Sequence, residues 1–569
     1  MTLPVDVLRA EAARWIEDDP DPTDQAELRD LLDSLPDGST GSAEVAELVD
    51  RFAGTLTFGT AGLRGPLRAG PNGMNRAVVR GAAAGLVGWL ARQGVDGPVV
   101  IGYDARYRSR EFAEETARVA TGAGREALLL PRPLPTPVLA YAVRQLGAVA
   151  GVMVTASHNP PRDNGYKVYL GAALGGPEGA GAQIVPPVDA EIEAAIRAVG
   201  PLSRVPLGPP GTVPDVDLVA SYVDSVASVV APDGPRDLSV AYTPLHGVGG
   251  DVLRAAVAAA GFPTPSIVDS QAEPDPDFPT VSFPNPEEPG AMDRVIALAA
   301  GTHADLAVAN DPDADRCAVA VPDGDGWRML RGDEVGVLLA DHLMRRGVTG
   351  RYATTIVSSS LLGTMCRSRG LPYGETLTGF KWIVRAGDAC GAGPSQRSTA
   401  GDQLAYGYEE ALGYCVAPDL VRDKDGISAA LLVCELAAAL KAEGRGLPDR
   451  LDEIAAEYGV YATDQLSVRV DDLTEIDRMM TALRARPPVR LLGEDLTSVE
   501  DRLPDSDVLI LRHDRARVVV RPSGTEPKLK AYLEVIEPMG GDGVPAARQR
   551  ATTALAALRA ETSAALGLV

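Results

Sequence analysis

Cysteine is scarce in this 569-residue chain: Cys317, Cys366, Cys390, Cys415 and Cys434 are widely spaced and never form a C-x-x-C pair. Such an odd, scattered set argues against a disulfide framework or a zinc ribbon and fits a reducing compartment. Positive charge is also in deficit. Lys and Arg total 54 against 78 Asp and Glu, a formal charge of −24, which excludes a surface that broadly attracts nucleic acid or anionic lipid. The N-terminal MTLPVDVLRAEAARW lacks a basic segment followed by an apolar core, so no signal peptide is read there. The most apolar helix-like run, AALLVCELAAAL (429–440), contains Glu435 and is too short for a bilayer. A G-x-x-x-x-G-K-[ST] loop, a convincing G-x-G-x-x-G after a strand and a G-x-S-x-G elbow are all missing. This counts against a P-loop NTPase, a dinucleotide fold and a serine hydrolase. The expectation is a cytoplasmic protein with no membrane, nucleic-acid or obligate protein partner.

What is present is ordinary globular composition, 45% hydrophobic and 23% charged, with 60 Gly and 45 Pro scattered without a period. At about 150 residues per domain the length suggests roughly four domains. Residues 1–52 read as a helical extension whose two pieces are separated by PDGSTG (36–41). Apolar strands then alternate with Ala-rich helices, as in PVVIGYD (98–104) before EFAEETARVATGAG, and this rhythm restarts after residues 210 and 330. The tail differs, with VLILRHDRARVVVRP and KLKAYLEVIE reading as antiparallel strands ahead of an Ala-rich helix. The expected architecture is α/β: 53–210, 211–330 and 331–460 as α/β units with mixed, mostly parallel sheets, and 461–569 as an α+β unit. GAALGGPEGAGAQ (171–183) and GDACGAGPSQRSTAG (387–401) read as inserted, flexible loops.

Four constellations carry candidate chemistry. In VMVTASHNPPRDNGYKVY, Ser157 follows an apolar strand, where a hydroxyl would sit at a sheet edge, with His158, Asn164 and Lys167 close behind. A polar turn explains these residues equally well, and adjacent Ser157 and His158 are expected to point apart. ADLAVANDPDADRCAVAV places Asp311, Asp313 and Asp315 at alternate positions between apolar strands, so in an extended loop all three carboxylates would face one side. Their repulsion calls for a hard cation, and Mg²⁺ suits oxygen ligands shared with a phosphate. The calcium EF-hand is rejected because Arg316 and Pro322 occupy its Gly and Glu positions. Arg316 could neutralise a phosphoryl oxygen or simply pair with an aspartate. RPSGTEPKLK offers Arg521, Ser523, Gly524, Thr525 and Lys528 as an anion cradle or as an ordinary β-turn. LAYGYEEALGYCV offers Glu409 and Glu410 to sugar hydroxyls, or as helix-start decoration. Lys381 and Lys424 each read alone as surface lysines.

In this order the motifs resemble the α-D-phosphohexomutase superfamily from GTAGLRG (59–65) to RPSGTEPKLKAYLEV. TGFKWI, GYEEALGY and the N-terminal helices are most similar to its phosphoglucomutase/phosphopentomutase branch, often labelled phosphomannomutase in bacteria. The resemblance implies four domains around a central cleft and a mutase that interconverts sugar 1-phosphates and 6-phosphates. Ser157 would be the phosphorylated serine and would share one Mg²⁺ with Asp311, Asp313 and Asp315. Arg64, His158 and Lys167 would be catalytic, the latter two in proton transfer. Arg316, Lys381, Glu409, Glu410 and Lys424 would contact substrate, and Arg521, Ser523, Gly524, Thr525 and Lys528 the distal phosphate. A sugar bisphosphate would serve as activator and phosphorylated sugars as ligands. Many members carry serine where this sequence has Ala411, so one sugar contact is missing or replaced. A phosphopentomutase, a metal-dependent sugar phosphatase and a non-catalytic sugar-phosphate binder are the alternatives. On this reading an acidic shell gathers Arg64, Lys167, Arg316, Lys381, Lys424, Arg521 and Lys528 in one place.

Overall fold

The computed structural model describes residues 4–36, 42–59, 62–386, 403–470, 472–523 and 528–568. The chain forms two compact units, Met1–Met329 with Tyr414–Leu432, and Leu330–Gly413 with Val433–Val569. Cys390, Gly524, Thr525 and the expected loop 387–401 lie outside the described residues.

In the first unit the N-terminal extension is three helices, Val5–Asp18, Pro22–Ser34 and Ala43–Arg51, rather than two pieces. The extra break follows from local chemistry. Asp21 accepts the Thr23 amide at 2.9 Å and Pro22 stands in the first turn, which starts a new helix. The apolar positions of these helices, among them Leu8, Ala12, Leu28, Val45 and Leu48, are buried.

The first sheet runs in the order Leu63–Pro66, Asp163–Leu170, Ala150–Val154, Val99–Tyr103, Ala127–Leu129. Its last three strands are parallel and its first two pair antiparallel. Ala150–Val154 is buried at every position, the pattern of a strand covered on both faces. Tyr103 lies opposite Val154, so the loops after both strands leave the same carboxyl edge, where α/β proteins bind ligands. The segment 171–183 is more ordered than expected. It holds the helix Ala172–Gly179, kinked at Gly176 (φ 65°), and the strand Ala182–Gln183 paired with Tyr169 and Leu170. The glycine that suggested a loop sits at the kink, in a left-handed conformation that costs glycine little.

The second sheet sets Ser266–Ile267, Val240–Thr243 and Leu306–Ala309 in parallel and ends in the antiparallel strands Ala318–Asp323 and Gly326–Met329. Residues 310–317 link Leu306–Ala309 to Ala318–Asp323. In the second unit, Tyr373–Thr376, Arg351–Thr355 and Leu404–Glu409 are parallel neighbours. A separate antiparallel sheet follows, in the order Val460–Arg469, Lys528–Glu537, Ala516–Pro522, Leu509–His513, Ser498–Asp501. The helix Gly543–Ala565 packs on it, its Leu555 and Leu558 sharing a core with Val518 and Leu533. The α/β class, the mixed sheets and the antiparallel tail agree with the sequence reading. Among the described residues no helix is long and apolar enough to cross a membrane. Cys317, Cys366, Cys415 and Cys434 are buried free thiols.

Candidate active site

Ser157 is placed by the carboxyl edge of the first sheet. Its amide donates to Thr155 Oγ1 at 2.9 Å, and Thr155 donates to Asp104 Oδ2 at 2.6 Å. Asp104 Oδ1 also accepts the Ser109 hydroxyl at 2.6 Å and the Arg106 amide at 3.0 Å. Ser157 itself has φ 51°, a left-handed conformation that a non-glycine residue keeps only under constraint. This bend corrects one expectation. Ser157 Oγ lies 3.1 Å from His158 Nδ1, because neighbouring side chains diverge along an extended backbone and this backbone is not extended. The serine hydroxyl donates to Asp311 Oδ2 at 2.6 Å.

The three aspartates converge, with one carboxylate oxygen from each lying within 4.8 Å of the other two. All three side chains are buried. The cause is a turn and not an extended loop, since Ala314 has φ 55° and its amide bonds Asp311 O at 2.8 Å. Thr136 donates to Asp313 Oδ2 at 2.7 Å. Lys167 Nζ lies 2.8 Å from Asp313 Oδ2 and 3.1 Å from Asp315 Oδ2. Arg316 gives its amide to Asp311 Oδ1 at 3.0 Å, while its guanidinium lies 3.4 Å from Glu287 Oε2. Arg64 Nη1 donates to Asn159 Oδ1 at 3.1 Å.

Burial and the repulsion of Asp313 and Asp315 raise Asp311 well above the usual carboxylate range. Against the cost of burial, Lys167 holds Asp313 low, and Lys167, Lys424 and Arg316 hold Asp315 well below that range. Burial opposes the charge on Lys167, but Asp313 and Asp315 outweigh it and raise its pKa. His158 is pushed well below its ordinary value by burial and then by Arg316 and Arg64, so the imidazole is neutral near pH 7. Asp313 Oδ1 and Asp315 Oδ1 are buried without a hydrogen-bond partner. Unpartnered carboxylate oxygens of this kind are costly unless a cation meets them, and an all-oxygen set suits a hard one. The triad is therefore able to hold a metal ion.

Lys424 is no surface lysine. Its Nζ lies 3.1 Å from Asp315 Oδ2, delivered by a loop anchored on both sides. Asp423 Oδ2 accepts Tyr169 Oη and Gln183 Nε2, each at 2.8 Å, and Asp425 Oδ1 accepts Tyr222 Oη at 2.8 Å. The Gly426 amide donates to Ala314 O at 3.2 Å. Sequence reasoning missed Asp104, Arg106, Thr136, Tyr169 and Asp423. Only Asp104 carried a local signal, as the charge ending the apolar strand PVVIGYD.

The second unit carries the other candidates. Glu409 ends the strand Leu404–Glu409. Glu410 Oε2 accepts from Thr355 Oγ1 at 3.2 Å and Ser358 Oγ at 2.9 Å. Lys381, in the short helix Phe380–Ile383, has Nζ 5.9 Å from the Trp382 ring centre. Arg521 lies opposite Lys530 in the antiparallel sheet, and the Ser523 amide donates to Lys528 O at 2.7 Å. Of the seven cations expected together, Arg64, Lys167, Arg316 and Lys424 belong to the first unit, each close enough to feel the aspartates. Lys381, Arg521 and Lys528 belong to the second.

Family models match along most of the chain: phosphoglucomutase/phosphomannomutase α/β/α domain I over residues 55–201, domain II over 220–324, domain III over 331–458 and the C-terminal domain over 466–538. A Haemophilus influenzae protein named "Probable phosphomannomutase" is 46% identical over 471 residues, covering 81% of this chain and 93% of its own. A Mus musculus phosphopentomutase is 32% identical over 587 residues, covering 94% and 91% respectively. A Staphylococcus aureus phosphoglucomutase is 32% identical over 515 residues, covering 85% and 90%.

Proposed function

The chain belongs to the phosphoglucomutase/phosphomannomutase family, and we propose that Ser157 carries the phosphoryl group that this phosphohexomutase moves between two hydroxyls of a hexose. One observation carries the assignment: Ser157 Oγ bonds Asp311 Oδ2 at 2.6 Å, against a buried triad with two unpartnered oxygens. Asp311, Asp313, Asp315 and a Ser157 oxygen would hold Mg²⁺, which when bound neutralises charge on the transferring phosphoryl oxygens.

In the forward half-reaction the Oγ–P bond of phosphorylated Ser157 breaks while a bond forms from phosphorus to the free hydroxyl of a sugar monophosphate. The hydroxyl proton needs an acceptor. His158, neutral and 3.1 Å from Ser157 Oγ, fits that role better than Lys167, which its aspartates keep protonated. Lys167 is a fixed positive charge beside the acidic triad, and Arg64, Arg316 and Lys424 add to it. The second half-reaction reverses the bonds at the other end of the bisphosphate, so the second phosphoryl group returns to Ser157 and the isomer leaves. A sugar bisphosphate from solution primes an unphosphorylated chain. Glu409, Glu410 and Lys381 are assigned to the sugar, and Arg521, Ser523, Gly524, Thr525 and Lys528 to the idle phosphate. Relatives named for glucose and mannose phosphates favour a hexose. The relative named phosphopentomutase makes ribose 1-phosphate the substrate to compare.

The test is intact-mass detection of phosphoserine alongside turnover on glucose 1-phosphate, mannose 1-phosphate and ribose 1-phosphate with Mg²⁺ and a trace of sugar bisphosphate. Ser157→Ala should lose both the added phosphate and the isomerisation. Wild-type turnover in that variant would remove Ser157 from the reaction, and release of inorganic phosphate in place of isomer would point to a phosphatase.

A further inference from the structure

We infer that Arg106 is a positioning residue for phosphoryl transfer, a template on which the reactive serine loop is folded. It leaves the carboxyl end of Val99–Tyr103, and its guanidinium is buried, the residue being 4% exposed. Nη2 donates to Ser157 O and to Asn159 O, both at 2.6 Å. Nη1 donates to Pro160 O at 2.8 Å and to Asp163 O at 3.2 Å. Four carbonyls within residues 157–163 thus converge on one side chain. The guanidinium is itself fixed by Asp104 Oδ2, 3.5 Å from Nε, and by the Phe278 ring centre at 5.0 Å.

This arrangement is not a simple ion pair, since most of the donors are spent on backbone. A planar fork of five N–H groups can span several carbonyls, whereas an ammonium is a point. The loop needs such a template. Ser157 is held at φ 51°, and its oxygen must act as leaving group in one half-reaction and acceptor in the next. Asn159, whose carbonyl Arg106 holds, is also the hydrogen-bond partner of Arg64, so one guanidinium sets both the serine and the orientation of a cation beside the triad. A misplacement near 1 Å at such a centre costs about 100-fold in rate.

The inference rests on Ser157 as phosphoryl carrier, so wild-type protein is assayed in parallel for phosphoserine and mutase turnover. Arg106→Lys should lower kcat about 10- to 100-fold, leave KM for the sugar 1-phosphate within about threefold and leave the Mg²⁺ requirement unchanged. In Arg106→Ala, added guanidinium ion should restore part of the lost kcat. If Arg106→Lys loses its near-UV circular dichroism, Phe278→Leu, which removes the ring facing the Arg106 guanidinium and leaves the Asp104–Thr155–Ser157 chain untouched, should show a smaller loss of the same kcat-selective kind. Wild-type kcat in the folded variants, or a KM that rises in step with the fall in kcat, would overturn the positioning role. A wild-type protein without phosphoserine or turnover would overturn the functional reading, and this inference with it.

Discussion

Tyr169 donates its hydroxyl to Asp423 Oδ2 at 2.8 Å, tying a strand of the first sheet to the loop that carries Lys424. Tyr169→Phe deletes one of the two donors on that buried oxygen. The expected outcome is a loss of about 1–2 kcal/mol in stability, read by denaturant unfolding. KM for the sugar phosphate should also rise several-fold, as the loop carrying Lys424 loses one of its anchoring contacts.

Thr136 gives Asp313 a hydrogen bond at 2.7 Å. Outer partners of metal-ligating groups typically command 10- to 100-fold in metal affinity. Thr136→Val should raise the Mg²⁺ concentration for half-maximal turnover by about that factor, and Thr136→Ser should restore it. Magnesium dependence unchanged in the valine variant would separate Asp313 from the metal.

At Gly426 a Cβ would lie 2.1 Å from Arg316 O and 2.7 Å from Asn310 Nδ2. Backbone cannot yield that far without moving the aspartate turn. Gly426→Ala should cost about 1–3 kcal/mol in denaturant unfolding and should lower activity even at temperatures where the variant is folded.

Asp333 accepts the Ser359 amide at 2.7 Å and the Tyr408 hydroxyl at 3.1 Å. Burial, with Glu410 and Glu534 nearby, pushes its pKa from 3.8 up to about 7. The folded form therefore binds this proton more tightly than the unfolded chain. The resulting stability is present below 3.8 and lost as pH rises through about 7. Asparagine does not titrate, so the advantage of Asp333→Asn over wild type should grow between pH 4 and pH 8, on the order of 2–4 kcal/mol. Denaturant unfolding across that range is the measurement, and a gap independent of pH would contradict it.

What the sequence made legible was local. Asp311, Asp313 and Asp315 announced themselves by spacing, although the turn at Ala314 and not an extended strand brings them together. Ser157 was legible from the strand before it. Its pairing with His158 was not, because that depends on one positive φ held by contacts from Thr155 and Arg106. Lys424 read alone as a surface lysine, whereas Lys167 stood close behind Ser157, and only tertiary contacts show that both reach the aspartates. The kink at Gly176 was mistaken for looseness because composition does not say whether a glycine terminates order or shapes it.

The first unit is discontinuous, since Tyr414–Leu432 returns to Met1–Met329. A ribosome making this chain finishes the serine and all three aspartates well before it makes Lys424, which trails Asp315 by 109 positions. At about 5–20 residues per second that delay is roughly 5–22 s. A nascent chain paused near residue 413 thus holds the acidic triad without Lys424 and without the Asp423 and Asp425 anchors. Completion of this centre is an event of late synthesis, and truncation between residues 315 and 424 keeps all three aspartates of the triad but leaves one of their counter-charges unmade.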